Sequence, residues 1–206
     1  MKYDNVIKDR SFKGNPKIKG DSNALGVSWR PGQPTVTTLI QDCTIDANGA
    51  AEGLKLSYAH NVTVRHCHII GGYEDCVDIV RGTNILFDNC VFEANNTKHH
   101  FTIKCMVDGV TITNCVFRNN FNHVWDGAMV DMGNWGDYDV EDLPKTRNLR
   151  IENCTLQNIS WWKRILTRRL YAENVSSKNT AGFNLKIPSI FVKLFWRYKR
   201  WQASRK

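Results

Sequence analysis

The chain has 206 residues, of which 42% are hydrophobic and 23% charged, which suits one globular domain with a sizeable core. No apolar run follows the first residues, and none approaches the roughly 20 residues of a membrane span, so we expect neither a signal peptide nor a transmembrane segment. The net charge of +8 is concentrated at the two ends of the chain, whereas a nucleic-acid-binding body would carry a basic face of its own. The sequence therefore gives no strong nucleic-acid signal.

The seven cysteines are an odd number, and no CxxC pair occurs among them. This excludes a complete disulfide framework and gives no sign of a zinc site. We expect the cysteines to be reduced and buried, which indicates synthesis in the cytoplasm. The localisation of the mature protein stays open, with a virion-associated protein as one alternative.

The first 37 residues show no repeat, and we expect residues 1–37 to form an N-terminal cap. A repeat starts at residue 38 and is marked by regularly spaced cysteines. The markers are Cys43, Cys67, Cys90, Cys115 and Cys154, and we expect Val175 to take the next equivalent place. Successive cysteines are 24, 23, 25 and 39 residues apart, and the long step predicts one repeat plus an insertion of roughly 15 residues.

The same pattern surrounds each marker. Apolar residues recur three and five places before it and two places after it, with mostly polar residues between them, which is the period of a half-buried strand. A residue that tolerates the left-handed conformation comes directly before the marker and predicts a corner between two short strands. These corner residues are Asp42, His66, Asn89, Asn114, Asn153 and Asn174. Further strands are predicted at residues 54–56, 77–80, 101–103, 129–132 and 165–166.

A repeat of 21 to 25 residues with short strands and no helix signal predicts an all-β fold. We expect a single-stranded right-handed parallel β-helix, a solenoid of about six coils over residues 38–178, with non-repeating caps at both ends. The leucine-rich repeat has a similar period, but it requires more leucines per strand than this chain has.

Residues 179–206 form a basic C-terminal segment. Within it, residues 187–201 mix large apolar side chains with lysine and arginine, which predicts a basic amphipathic helix. We expect this segment to cap the solenoid. Binding to an anionic surface and a contact between copies in a homo-oligomer are the alternatives.

Residues 74–92, with the sequence EDCVDIVRGTNILFDNCVF, resemble the pectate lyase-like and polygalacturonase-like right-handed parallel β-helix superfamily. In that superfamily an acidic pair opens a strand, a turn of Gly, Ser or Thr, and Asn follows, and an alternating strand leads to an Asn corner. The resemblance implies a polysaccharide partner and either lyase or glycoside hydrolase activity. It also implies that Lys98 stands where the family often places a lysine, and that Asp75 and Asp78 stand near calcium-binding acids.

Two family motifs are missing. Asp126 and Asp131 stand where the pectate lyase pattern places arginines, and the Gly-His-Gly turn and Arg-Ile-Lys motif of polygalacturonases do not occur. The chain therefore departs from both catalytic patterns.

The loops and strands around residues 75–131 carry most of the reactive side chains. Carboxylates, lysines and histidines there are suited to acid–base chemistry on a groove. The candidate catalytic residues are Asp78, Lys98, His99, Lys104, His123, Asp126 and Asp131. Trp125, Trp135 and Tyr138 are candidates for stacking on sugar rings. Calcium is the expected cofactor, held by Asp75 and Asp78 or by the acids of the insertion at residues 133–147.

Each of these residues also has a structural interpretation. Asp75 can open a strand, and Asp78 can be an outward, solvated side chain. His99 and His100 are adjacent on a strand and should point to opposite faces, so they should not serve one site together. The sequence therefore supports three hypotheses. The first is a polysaccharide-acting enzyme, and the second is a non-catalytic structural or adhesion module such as a virus tail or surface component. The third is association with a membrane or nucleic acid through the basic C-terminal segment.

Overall fold

The computed structural model of the protein describes residues 2–18, 22–30, 33–94, 97, 99–120, 130–133, 146–159, 165–168, 172–180 and 185–186. The chain winds through these residues as short strands, three to a coil. The first two coils contain β1 (Asn5–Lys8), β2 (Ser11–Lys13), β3 (Asn23–Ser28), β4 (Thr38–Gln41), β5 (Thr44–Asp46) and β6 (Glu52–Ser57). The next two contain β7 (His60–Arg65), β8 (His68–Ile70), β9 (Asp75–Val80), β10 (Thr83–Asp88), β11 (Val91–Glu93) and β12 (His99–Lys104). The remaining strands are β13 (Asp108–Thr113), β14 (Val116–Asn120), β15 (Val130–Gly133), β16 (Thr146–Glu152), β17 (Thr155–Ile159), β18 (Ile165–Arg168), β19 (Ala172–Lys178) and β20 (Leu185–Lys186).

Every third strand belongs to the same sheet, so the described strands form three parallel sheets that run along the solenoid. Sheet A contains β1, β4, β7, β10, β13, β16 and β19; sheet B contains β2, β5, β8, β11, β14 and β17; sheet C contains β3, β6, β9, β12, β15, β18 and β20. This confirms the all-β parallel solenoid that the repeat predicts. The parallel pairing already starts at Asn5, which lies opposite Thr38, so residues upstream of position 38 also wind as a coil.

The interior is filled by columns of apolar side chains. In sheet C, Leu54, Val77, Phe101 and Val130 lie one above another and are completely buried. Phenylalanines from all three sheets meet at the centre, where the ring of Phe101 lies 5.1 Å from that of Phe87 and 4.6 Å from that of Phe92. A coil alone buries few such groups, so stability arises from stacking of neighbouring coils.

The corner residues before the cysteines adopt the left-handed conformation that the sequence predicts. The φ angles of Asp42, His66, Asn89, Asn114 and Asn153 lie between 51° and 56°. Hydrogen bonds run between coils at these corners, as from Asn114 Nδ2 to Asp88 Oδ1 at 2.9 Å. The corner is therefore fixed both by backbone preference and by side-chain contacts.

The cysteine column is also present. Cys43, Cys67, Cys90, Cys115 and Cys154 are buried and free. The backbone N–H of Cys90 donates to Cys115 Sγ at 3.3 Å, which places these two residues one above the other. Each thiol also lies near the carbonyl oxygen two residues before it, as for Cys115 and Thr113 O at 3.0 Å. The five cysteines thus fill a narrow corner with small side chains that still make polar contacts.

The predicted register of the last coil is wrong by five residues. Val175 lies opposite Leu149 in sheet A, and Thr180 takes the place above Cys154. Asn174 and Asn179 both have a positive φ of 50°, so either can imitate the corner signal. Asn179 is the corner residue, since its Nδ2 donates to Asn153 Oδ1 at 3.1 Å.

Asn174 belongs to a second series of left-handed residues that share one register position near the starts of sheet A strands, with Asn61, Asn84 and Asn148. Hydrogen bonds link this series too, from Asn84 to Asn61 at 2.8 Å and from Asn174 to Asn148 at 3.2 Å. Because each coil can carry an asparagine of either series, spacing alone selected Asn174 as the corner residue in place of Asn179.

Candidate functional site

The outer face of sheet C carries a column of charged side chains. The strand register places Glu52, Asp75 and His99 one above another at the starts of β6, β9 and β12. A second column three residues further on contains Lys55, Asp78, Thr102 and Asp131. Residues from four different coils, far apart in sequence, thus meet on one face.

The side chains between these columns turn inward. His100 packs its ring 5.4 Å from that of Phe117, and its Nε2 lies 3.1 Å from the carbonyl oxygen of Arg118. His99 instead lies on the outer face, with Nε2 4.0 Å from Oδ2 of Asp131. The two histidines therefore point to opposite sides, as strand alternation predicts.

Asp78 is the centre of the cluster. Its Oδ2 lies 3.2 Å from Nζ of Lys55, and its Oδ1 lies 3.2 Å from Nζ of Lys104. The carboxylate is buried, whereas the side chains of Lys55 and Lys104 are 15% and 28% exposed. The interpretation of Asp78 as a solvated side chain is therefore wrong, because two lysines from neighbouring coils cover and neutralise it.

Asp75 is in a different electrostatic environment from Asp78. Burial, together with the negative charge of Asp78, raises the pKa of Asp75 well above its ordinary value. The hydrogen bond to Thr102 and the charge of Lys104 oppose this rise. The surroundings thus shift the titration of Asp75 to higher pH, next to a carboxylate that is paired with two lysines.

Five of the candidate residues that the sequence identifies come together on this face, namely Asp75, Asp78, His99, Lys104 and Asp131. Lys98, His123, Trp125, Asp126, Trp135 and Tyr138 lie outside the described residues, as do residues 187–206 of the basic C-terminal segment. For these the sequence predictions stand untested.

Lys55 and Thr102 are parts of the cluster that the sequence predictions missed. Lys55 follows Glu52 by three residues, as Asp78 follows Asp75, and its Nζ lies 3.7 Å from Oε1 of Glu52. Aligning the coils at the start of sheet C, and not only at the cysteine corner, would have placed Lys55 beside Asp78.

The arrangement does not suit a calcium site at Asp75 and Asp78. Ca²⁺ takes six to eight oxygen ligands and favours ionised carboxylates. Here both oxygens of Asp78 face lysine ammonium groups, and burial raises the pKa of Asp75 and so disfavours its ionised form. Within the described residues, no three His, Cys, Asp or Glu side chains form a group that could hold a metal ion.

Comparison with known proteins supports the fold. The family model described as "Right handed beta helix region" matches residues 14–141, which is more than half of the chain. None of the curated proteins compared with the chain gives a significant match. In the part of the chain that the structure describes, no helix has the length and apolar character needed to cross a membrane. With its three parallel sheets, left-handed corners and matched region, the chain belongs to the right-handed beta helix family.

Proposed function

We propose that the protein hydrolyses glycosidic bonds of a polysaccharide on the outer face of sheet C. The observation that carries this proposal is the pairing of Asp75 and Asp78, two neighbouring carboxyl groups in opposed environments. Glycoside hydrolysis requires one carboxylic acid to protonate the leaving oxygen and one carboxylate to act as base or nucleophile. Different surroundings for two carboxyl groups are the usual way in which proteins assign these roles.

In this proposal Asp75 is the general acid, because its raised pKa keeps a proton available for the leaving group. Asp78 is the carboxylate, held in place by Lys55 and Lys104. Asp131 lies two coils from Asp78 in the same column and is a second candidate for the base. His99 is placed to orient Asp131, since its Nε2 lies 4.0 Å from that carboxylate.

The lysine contacts favour hydrolysis over β-elimination. A lyase that used Lys104 as its base would need the neutral amine, whereas Lys104 is paired with Asp78 at 3.2 Å. With Asp75 assigned as the protonated acid, the cluster still contains three carboxylates, Glu52, Asp78 and Asp131, against the two lysines. This balance favours an uncharged polysaccharide over an anionic one.

The test is to incubate the purified protein with a panel of neutral and acidic polysaccharides and to measure new reducing ends. We expect turnover of a neutral polymer, a large loss of turnover in Asp75→Asn and Asp78→Asn, and no loss in the control Asp108→Asn. Asp108 is a suitable control because it pairs with Arg147 on sheet A, on another face of the solenoid. No reducing ends from any polymer, or new reducing ends that are accompanied by unsaturated products, would overturn the proposal.

The second candidate function is a non-catalytic structural or adhesion module. The observation that favours it is the near-complete burial of Asp78 and Asp131. In that case the ion pairs stabilise the stack of coils and do no chemistry. Binding of a polysaccharide without turnover, unchanged in the Asp75→Asn variant, would support this candidate against the first.

A further inference from the structure

A tight turn connects β8 to β9 directly before Asp75. Its first residues, Gly71 and Gly72, pack against neighbouring coils so closely that a Cβ atom on Gly72 would lie 1.7 Å from the carbonyl oxygen of Ala50. Backbone hydrogen bonds from Tyr73 N to Ala50 O at 3.1 Å and from Glu74 N to Ala51 O at 3.0 Å fix the rest of the turn. The turn is therefore held against the coil below along its whole length.

This rigid turn presents an exposed aromatic side chain. Tyr73 is 44% exposed, although Asp75, two residues later, is 4% exposed. Ile18, another large apolar residue with high exposure, lies in the first coil on the connection between β2 and β3, which is the same corner between sheets B and C. Tyr73 and Ile18 are thus both exposed at the corner between sheets B and C, two coils apart.

We propose that Tyr73 is the platform on which a sugar ring stacks beside the acid pair. The inference rests on the proposed function for the position of the bond to be cleaved, but it concerns a binding contact that can be measured without turnover. An aromatic ring offers a flat apolar surface for the C–H face of a sugar. The fixed backbone of the turn means that little conformational freedom is lost when the sugar binds.

The position of Tyr73 also determines which part of the substrate it contacts. Gly72 N donates to Asp75 O at 3.3 Å, so the turn closes directly onto the residue that we assign as the acid. Because Tyr73 belongs to this closed turn, two residues before Asp75, we place the sugar ring stacked on it close to the cleaved bond. Since carboxyl groups outnumber lysines on this face, we assign an uncharged sugar to this position.

The experiment measures binding to full-length protein that carries Asp78→Asn, so that hydrolysis does not interfere. The probes are neutral oligosaccharides of glucose, xylose, mannose and galactose, titrated by calorimetry. We expect Tyr73→Ala to weaken binding of the best probe by about tenfold and Tyr73→Trp to retain it. Tyr3→Ala is the matched control, since Tyr3 contacts Thr63 of sheet A and lies away from the charged face.

The outcomes separate this inference from the proposed function. Affinity that is equal in Tyr73→Ala and in the parent, or lost equally in Tyr3→Ala, overturns the platform, and so does failure of every probe to bind. Binding that depends on Tyr73 without turnover by the wild-type protein supports the platform and overturns hydrolysis. Because Tyr73 is exposed, its replacement should leave the thermal unfolding midpoint nearly unchanged. A midpoint that falls sharply in both Tyr73→Ala and Tyr73→Trp assigns the residue a structural role and overturns the platform.

Discussion

The ammonium nitrogen of Lys104 lies 3.2 Å from Oδ1 of Asp78, although the two residues belong to neighbouring coils and to different rows of the strand register. Lys55 approaches the other carboxylate oxygen from the coil on the opposite side, also at 3.2 Å. One buried carboxylate thus joins three consecutive coils. The energetic consequence of this arrangement can be measured by removing the charges singly and together.

Replacing Asp78 by Asn should destabilise the protein by about 1–3 kcal/mol. Breaking a fully buried pair costs about 3–5 kcal/mol, and the partial exposure of both lysines reduces the penalty. Replacing the whole ion-paired group by Glu52→Gln, Lys55→Met, Asp78→Leu and Lys104→Met should restore the free energy of unfolding to within about 1 kcal/mol of wild type. Glu52 is included because it also pairs with Lys55, so that no carboxylate is left without its lysine. Urea unfolding followed by circular dichroism measures both variants. A single variant as stable as wild type would show that the ion pairs contribute nothing.

The stability of the protein should carry a pH dependence that comes from Asp75. The pKa of Asp75 in the folded protein is raised by burial and by the charge of Asp78. The contribution of Asp75 to the free energy of unfolding is therefore complete below its pKa in the unfolded chain, about 3.9, and is lost as the pH rises through its pKa in the folded protein. Over that window the unfolding free energy should fall by at most about 1.4 kcal/mol per pH unit. Asp75→Asn should remove this component, so the variant gains stability relative to wild type as the pH rises. Urea unfolding from about pH 3 to about pH 8 measures the difference.

Asp108→Asn provides a control of opposite sign for this pH series. Hydrogen bonds from Asn148 and Arg147 lower the pKa of Asp108, so its contribution is present above the unfolded value and is lost as the pH falls. The variant should therefore lose stability relative to wild type towards neutral pH. The same trend in both variants would contradict the assignment of Asp75.

Asn114 tests the energetic role of the left-handed corners. Its φ is 54°, so Asn114→Ala should cost about 1–2 kcal/mol in backbone strain. Asn114→Gly removes the same side-chain hydrogen bond to Asp88 but accepts the positive φ, and it should cost less. The difference in urea midpoint between the two variants isolates the backbone contribution. Equal stability of the alanine and glycine variants would mean that side-chain contacts alone hold the corner.

Thr180 tests whether the cysteine column continues into the last described coil. The backbone N–H of Cys154 donates to Thr180 Oγ1 at 3.2 Å, in the same way that Cys90 N–H donates to the sulfur of Cys115. Thr180→Val leaves a buried donor without its acceptor and should cost about 1–3 kcal/mol. Thr180→Cys should stay within about 1 kcal/mol of wild type, because sulfur accepts at this position elsewhere. Thermal or urea unfolding measures the stability of both variants. A valine variant as stable as the cysteine variant would show that Thr180 does not act as the hydrogen-bond acceptor for Cys154 N–H.

Much of the fold could be predicted from the sequence because equivalent positions in a solenoid share one environment. Each corner before a cysteine needs a left-handed residue and each marker needs a small buried one, so Asn89-Cys90 and Asn114-Cys115 recur in register. The alternation of apolar and polar residues identifies which side chains enter the core, as for Val77 and Ile79. The prediction failed at Val175 because two asparagine series, at Asn174 and Asn179, carry the same local signal.

By itself, therefore, the sequence determined the parallel coils, their corners and the placement of Asp78 and Asp131 in one outward column. Only the tertiary structure decided that Asp78 is buried between Lys55 and Lys104, that Asp75 beside it favours a proton, and that Tyr73 is exposed at the border of this face. The physical reason is that strand periodicity specifies the face a side chain points to. Burial, charge pairing and pKa depend on which long side chains of neighbouring coils reach across to it.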